Sequence, residues 1–418
     1  MLTVLRNRVY RRLFTAQVVA LLGTGVLTVA LGLLAFDLAG ARAGAVLGTA
    51  LTIKMIAYVG VAPVVNAVVA RLPAKPVLVG ADVVRATMAL CLPVLTEAWQ
   101  VYAVVFVLQA ASATFTPAFQ SVIPGVLPRE RDYTRALSLS RLAYDVEALV
   151  SPVLAAVALS VLSYHDLFLG TAAGFVASAV LVVAAALPAG AARSGGHGSV
   201  WYRTTLGTRI FWGTPRLRSL LALDLVVAAP TALVLVNTVV YVREVMGRPE
   251  TDLAVALAAF GIGSMAVALS APAALEQFGN RVVMLSGAGI IPPALLATTL
   301  LSFRAGTGTG WWALLGVWVL LGAATSAVLT PSARLLRDAS DETTRPYVFT
   351  AQFSLSHACF VLTYPVAGWI GASAGLGWSA AVLTAIAVAG AGAAIVSWPG
   401  DPPRTSAVGE DGNREHRD

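Results

Sequence analysis

Residues 13–38 read LFTAQVVALLGTGVLTVALGLLAFDL, an unbroken apolar run whose single charge, Asp37, stands at its far end. About 20 such residues are enough to cross a bilayer as a helix. Arg6, Arg8, Arg11 and Arg12 precede the run, an opening that resembles a secretory signal peptide. The run is roughly twice the length of a signal-peptide core. It therefore reads as an uncleaved first membrane span.

The rest of the chain carries the same signature. Its 418 residues are 58% hydrophobic and 12% charged, with a mean hydropathy of +0.80, where a soluble domain holds about 25% charged residues. The apolar runs are continuous, which excludes a pore-forming β-barrel with its short alternating segments. Intrinsic disorder and a secreted disulfide scaffold are excluded as well. Cys91 and Cys359 both lie inside apolar runs and read as core packing. The net charge of +7 and pI near 9.7 would suggest nucleic acid if the basic residues shared a soluble face, but they fall in the gaps between apolar runs.

Candidate spans lie at about 13–38, 46–70, 77–95, 99–119, 138–163 and 166–188, then at 219–242, 253–275, 282–303, 311–331, 348–372 and 376–398. With twelve spans and the N-terminus inside, the outer loops hold only Arg42, Arg243, Arg248 and Arg304. Lys54 falls within a span, and every other basic residue is on the inner side. That asymmetry predicts a multi-pass protein of the cell membrane with both termini cytoplasmic. The expected organisation is all-α: a six-helix half over 1–188, a cytoplasmic linker over 189–218 and a second six-helix half over 219–398. The linker opens with Ser194-Gly195-Gly196 and carries an interfacial aromatic piece from Trp201 to Trp212. The tail over 399–418 has no apolar content to bury and is expected to be disordered.

The halves repeat short motifs in the same order, the pattern of a transporter built from two repeats. Thr116-Pro117 ends span four and Thr330-Pro331 ends span ten; each precedes a charged inner loop. Ser138-Leu139-Ser140-Arg141 opens span five and Ser354-Leu355-Ser356-His357 lies early in span eleven, followed by Pro152 and Pro365 respectively.

From Arg6 to Trp398 the chain resembles the major facilitator superfamily. Arg11-Arg12-Leu13-Phe14, with Gln17, Gly23 and Asp37-Leu38-Ala39-Gly40, is similar to the first span of its bacterial exporter branch. The family's gating loop between spans two and three, Gly-x-x-x-Asp-Arg-x-Gly-Arg-Arg, corresponds here to residues 66–75. Arg71 and Lys75 are kept, but Ala70 replaces the carboxylate. Asp82 and Arg85, three apart at the start of span three, read as an inner-end pair. The exporter pattern of span five corresponds to Glu147-Ala148-Leu149-Val150-Ser151-Pro152-Val153-Leu154-Ala155-Ala156. Its small residues Ser151, Ala155 and Ala156 imply close helix contact, Pro152 interrupts the backbone bonding, and the direction implied is export. The arginine that some proton antiporters carry in span four is absent, with only Gln109 polar in that neighbourhood. Residues 136–156 and 351–369 also resemble a subfamily that includes nickel-resistance exporters. Those commonly end in a histidine-rich tail, whereas this tail holds His416 alone, so a metal reading lacks that support.

Charges within the bilayer cost several kcal/mol, so they usually face a partner, a cavity or a transport path. In span five, Arg141 and Asp145 are four apart and can pair as a structural clamp. Glu147 faces elsewhere and is the candidate proton carrier, with packing against another charged helix as the alternative. Lys54 either snorkels outward or pairs with Asp37, or else serves substrate or coupling. Asp224 follows Arg216 and Arg218 and reads as a boundary ion pair. Asn237 needs a hydrogen-bond partner whatever its role. His357, the one histidine inside a span, can exchange protons or bind metal; the alternative is a hydrogen-bonded helix contact. Cys359 lies on a different helix face, so a metal would need ligands from other helices. Gln109 and Gln352 are candidate cavity residues.

No catalytic set and no phosphate-cradling Gly-x-x-x-x-Gly-Lys-Ser/Thr motif appears. The expectation is a cofactor-free, monomeric secondary transporter, not an enzyme, that exports a small molecule or ion against protons. Nickel or cobalt efflux and a non-transporting membrane scaffold or receptor are the alternatives. Its partners would be substrate and lipid bilayer, with no nucleic acid.

Overall fold

The computed structural model describes residues 2–61, 72–187, 200–303, 310–341 and 344–398, which are helical apart from the short connections between helices, with no strand among them. Arg71, residues 188–199 of the expected linker and the tail over 399–418 lie outside the described residues, as do the side chains of Arg141 and Asp145.

A helix stands in each expected segment. These are Arg8–Ala39 (span one), Ala43–Ile56 (two), Ala74–Cys91 (three), Ala98–Val126 (four), Glu130–Leu159 (five) and Tyr164–Ala184 (six). After the linker helix Val200–Gly213 come Pro215–Ala232 (seven), Glu250–Phe303 (eight and nine), Gly310–Leu329 (ten), Arg345–Pro365 (eleven) and Leu376–Ser397 (twelve). Among the described residues, ten stretches are long and apolar enough to cross a membrane. The figure falls below twelve because Arg8–Gly60 is one such stretch holding two helices, parted at Gly40, and because span five is apolar only over Val150–Leu159.

Several ends differ from the sequence reading. Span one begins a turn early because Asn7 caps it, its Oδ1 accepting from the amides of Val9 at 2.9 Å and Tyr10 at 3.1 Å. Such a cap satisfies amides that have no partner inside the helix. Span four does not end at Thr116-Pro117 but runs to Val126. Proline removes one donor, and the apolar packing of Phe119, Val122 and Ile123 with Tyr10 and Leu13 outweighs that loss. At Thr330-Pro331 the helix does stop, and the short helix Ser332–Asp338 follows. The two motifs therefore share sequence but not backbone. Spans eight and nine form one helical run broken at Gly279, whose φ of 76° is a conformation that favours glycine.

The packing repeats at an interval of six spans. Span one lies against five and six, and span seven against eleven and twelve. Three packs on four and six, while the eight–nine helix packs on ten and twelve. Between the halves, two packs on eleven, and five packs on the eight–nine helix. Small residues permit these approaches, since lipid tails offer no hydrophobic drive and close van der Waals contact must hold the helices. Thr171 of span six donates to the Gly23 carbonyl of span one at 3.0 Å.

Spans two, seven and eleven meet where span two begins and spans seven and eleven end. A Cβ on Gly368 would lie 2.3 Å from the Gly44 carbonyl oxygen, and one on Gly48 would lie 2.7 Å from that of Tyr364. Trp369 Nε1 donates to Thr49 Oγ1 at 3.0 Å, and the Arg243 guanidinium sits 5.5 Å from the Phe36 ring centre. Spans seven and eleven widen here into turns with i→i+5 hydrogen bonding, Leu233–Asn237 and Val366–Ile370. Asn237 finds its partners at this place: Nδ2 donates to the Ala367 carbonyl and to Ser379 Oγ, both at 3.1 Å. Replacing Asn237 by leucine is expected to lower stability by about 1–3 kcal/mol through these losses. Thermal unfolding in detergent measures that cost, and an unchanged midpoint would show the bonds to be dispensable.

Candidate functional site

Glu147 of span five is half-buried against span one. A Cβ on Gly25 would lie 2.1 Å from Glu147 Oε1 and 2.2 Å from Ser151 Oγ, so only glycine lets the carboxylate and the hydroxyl lie there. Ser151 Oγ is 3.4 Å from Glu147 Oε1 and 3.5 Å from the Leu22 carbonyl oxygen, with one proton to give between them. Glu147 also edges a cleft of about 210 Å³ lined otherwise by the apolar residues Phe14, Val18, Leu22, Leu139, Ala143, Val146 and Val150. Pro152 follows within the helix, with Ala155 buried and Ala156 half-buried.

Lys54 does not pair with Asp37. Asp37 accepts instead from the Tyr164 hydroxyl, and Lys54 points the other way along span two, 5.9 Å from the Tyr58 ring centre. Its charge attracts Glu147 across the interior, although no salt-bridge contact joins them among the described residues. From the opposite half His357 enters the same space. Its Nδ1 lies 2.6 Å from the Phe353 carbonyl oxygen, and its ring is 5.7 Å from that of Tyr58. Lys54 and His357 influence each other electrostatically. Spans two, five and eleven thus carry a cation, a carboxylate and an imidazole, all half-buried, with Lys54 within electrostatic reach of the other two, the Tyr58 ring beside Lys54 and His357, and the Phe353 ring beside His357.

The remaining candidates lie elsewhere. Asp82 and Arg85 form a buried ion pair inside the first half. Ser178 Oγ donates to Asp82 Oδ2 at 2.7 Å, and the guanidinium lies between the rings of Phe115 and Phe175 at 4.4 and 4.6 Å. Lys75 Nζ donates to the Ala185 carbonyl at 3.0 Å just past the end of span six, where the helix dipole favours a cation. These three residues join elements of one half to one another rather than one half to the other. Gln109 is buried in span four, and its Oε1 has no partner among the described residues. Asp224 does not make the boundary ion pair expected with Arg216 or Arg218; both its oxygens face Gln352 Nε2, at 2.9 and 3.0 Å. Both arginines are exposed, and span eleven supplies the donor. Among the described residues no three of His, Cys, Asp and Glu gather closely enough to hold a metal ion.

The family model of the Major Facilitator Superfamily matches residues 13–291. The chain belongs to this superfamily. Macrolide efflux protein A of Streptococcus pyogenes is 24% identical over 181 residues, 42% of this chain and 44% of that protein. The Enterococcus faecalis protein of the same name is 25% identical over 152 residues, 34% of this chain and 47% of that one. The match spans less than half the length of these curated relatives. Among solved structures, a mutant of the nucleoside transporter NupG superposes with a TM-score of 0.70 at 15% identity, covering 94% of this chain and 100% of that one. A bacterial homologue of the human lysosomal transporter Spinster, in an inward-facing, unoccupied conformation, gives 0.69 at 13% identity, covering 94% and 96%. These likenesses are of fold.

In this major facilitator protein several site residues escaped the sequence reading. Gly25, Tyr58 and Phe353 look like ordinary span residues, and nothing in their spacing marks them. Tyr144 had a weak signal as a polar group in an apolar helix, and Gln17 is read in sequence only as part of the first-span motif. Gln17 Oε1 accepts from Ser140 Oγ at 3.0 Å, and the Tyr144 hydroxyl is 3.3 Å from Thr116 Oγ1, which ties spans one, four and five together.

Proposed function

We propose that this membrane transporter is a proton-coupled exporter of a lipophilic small molecule, with Glu147 as the proton carrier. The observation that carries the reading is the placement of Glu147, half-buried against Gly25 in an otherwise apolar cleft and facing Lys54 across the interior. Charges in such surroundings interact far more strongly than in water. With Glu147 ionised, Lys54 answers its charge; a proton on Glu147 removes that attraction and frees Lys54. Because span two carries Lys54 and packs on span eleven, the exchange is felt where the halves meet. The apolar lining and the rings of Tyr58 and Phe353 suit a hydrophobic solute, and the partial likeness to macrolide efflux proteins supports that class and the outward direction.

In this reading two six-helix halves, over 1–188 and 219–398, rock about the site, joined by a cytoplasmic linker over 189–218 and followed by a tail over 399–418. Both termini face the cytoplasm of a monomer in the cell membrane. The joined outer ends correspond to a state closed to the outside.

Intracellular accumulation tests this in a sensitised bacterial host making the wild-type chain or Glu147→Gln at matched levels. The panel holds a macrolide, other hydrophobic drugs, nickel and cobalt, each with and without a protonophore. A hydrophobic compound is expected to be depleted by the wild type alone, and the depletion to collapse with the proton gradient. Equal depletion by Glu147→Gln would end its assignment as carrier. Depletion of nickel or cobalt alone would make the substrate a metal ion.

A further inference from the structure

A second buried carboxylate stands apart from the Glu147 site. Asp224 is 3% exposed, near the inner end of span seven, and both its oxygens face one nitrogen, Gln352 Nε2 of span eleven. The other end of the same amide, Gln352 Oε1, is buried without a hydrogen-bond partner among the described residues. Three acceptor oxygens thus share one donor group. A buried acceptor left unpaired costs about 1–3 kcal/mol, and an unpaired buried carboxylate costs more.

Charged and titratable groups on the packed elements do not make up the shortfall. Arg216 and Arg218 lie on span seven itself, Arg209 on the linker helix, and Arg334, Arg337 and Asp338 on the short helix after span ten. Glu276 and Arg281 flank the break between spans eight and nine, whose outer-end acids are Glu250 and Asp252. Spans ten and twelve carry no ionisable side chain. Cys359 of span eleven is within electrostatic reach, and a thiol is a weak donor. Among the described residues none of these forms an ion pair with Asp224.

We propose that Asp224 and Gln352 form a second proton-binding site. One proton completes the arrangement: Asp224 takes it on one oxygen and that O–H donates to Gln352 Oε1, while Gln352 Nε2 donates to the other oxygen. The acid and the amide then close a ring of two hydrogen bonds in which every acceptor facing a donor is matched. Loss of the proton leaves the deficit seen around Oε1 and loosens span eleven from span seven. The linker helix packs directly over this place, since a Cβ on Gly207 would lie 2.3 Å from the Tyr347 carbonyl oxygen and 3.0 Å from the Ala351 Cβ. The inference borrows from the proposed function only the identity of the ion, and its test reads protonation without transport.

The full-length protein in liposomes is followed by infrared spectroscopy from mildly acidic to mildly alkaline pH, in wild type, Asp224→Asn, Glu147→Gln and Gln352→Leu. Wild type and Glu147→Gln are expected to share the carbonyl band of a buried carboxylic acid, and Asp224→Asn to lack it. Asparagine offers the same donor and acceptor pair to Gln352, so this variant should unfold at the wild-type temperature. In Gln352→Leu the band should move to higher frequency as the carbonyl loses its amide donor. A band that survives Asp224→Asn unchanged, or that ignores Gln352→Leu, overturns the proposal. If instead transport proves independent of protons while the band behaves as described, the proposed function fails and this site stands.

Discussion

Leucine in place of Gly368 is expected to reduce export at least tenfold while leaving the protein folded. The Cβ alone would sit 2.3 Å from the Gly44 carbonyl oxygen and 3.2 Å from the Gly48 Cα, and both are backbone atoms that cannot swing aside. Overpacking of this kind costs about 1–3 kcal/mol, borne only by the state in which the outer ends of spans two and eleven meet. A penalty of about 2 kcal/mol shifts a two-state balance roughly 30-fold, at tenfold for every 1.4 kcal/mol. A protein that cannot close its outer side cannot alternate. Thr49, which accepts from Trp369 across the same seam, supplies the reporter. Thr49→Cys should react slowly with a membrane-impermeant maleimide applied outside, and much faster when Gly368→Leu is added. Unchanged labelling together with normal export would show that the seam is no gate.

The second large effect concerns the buried pair in the first half. Asp82→Leu leaves the Arg85 guanidinium without its counter-charge between two phenylalanine rings. Breaking a buried pair from one side costs about 3–5 kcal/mol, because the stranded charge has lost its water as well as its partner. Arg85→Leu should cost less, since Ser178 still donates to Asp82 and a carboxylate can take up a proton. The double variant should be milder than Asp82→Leu, as no charge remains. Unfolding temperatures in one detergent order the three proteins. A double variant at least as damaged as Asp82→Leu would mean that the pair contributes through packing and not through charge.

Much of the architecture is legible from residues alone because the bilayer leaves few choices. A backbone in hydrocarbon must satisfy its own hydrogen bonds, so an apolar run of the right length becomes a helix. The helical ends were less legible. Pro117 reads as a stop, yet span four continues to Val126, since burial of Phe119 and Ile123 depends on where Tyr10 and Leu13 arrive from a distant span. The partners of the buried charges were still less legible. Lys54 has Asp37 within reach along the chain, but Tyr164 of span six claims that carboxylate. Asp224 has two arginines just before it in sequence and is met instead by an amide 128 residues away.

Sequence by itself determined the class of molecule: a polytopic helical protein of the major facilitator type, with Glu147, Lys54 and His357 as polar residues set in apolar spans. It could do so because hydropathy and helix length are properties of contiguous residues, and a charge in an apolar run is visible without knowing its neighbours. Only the tertiary structure decided that Lys54 comes within electrostatic reach of both Glu147 and His357, that Gly25 makes room for Glu147, and that Gly44, Gly48 and Gly368 draw the start of span two against the end of span eleven. The reason is physical: in lipid every helix face is apolar, so periodicity does not say which face meets which neighbour. That is settled by the small residues that let backbones touch and by the few polar groups that must find one another.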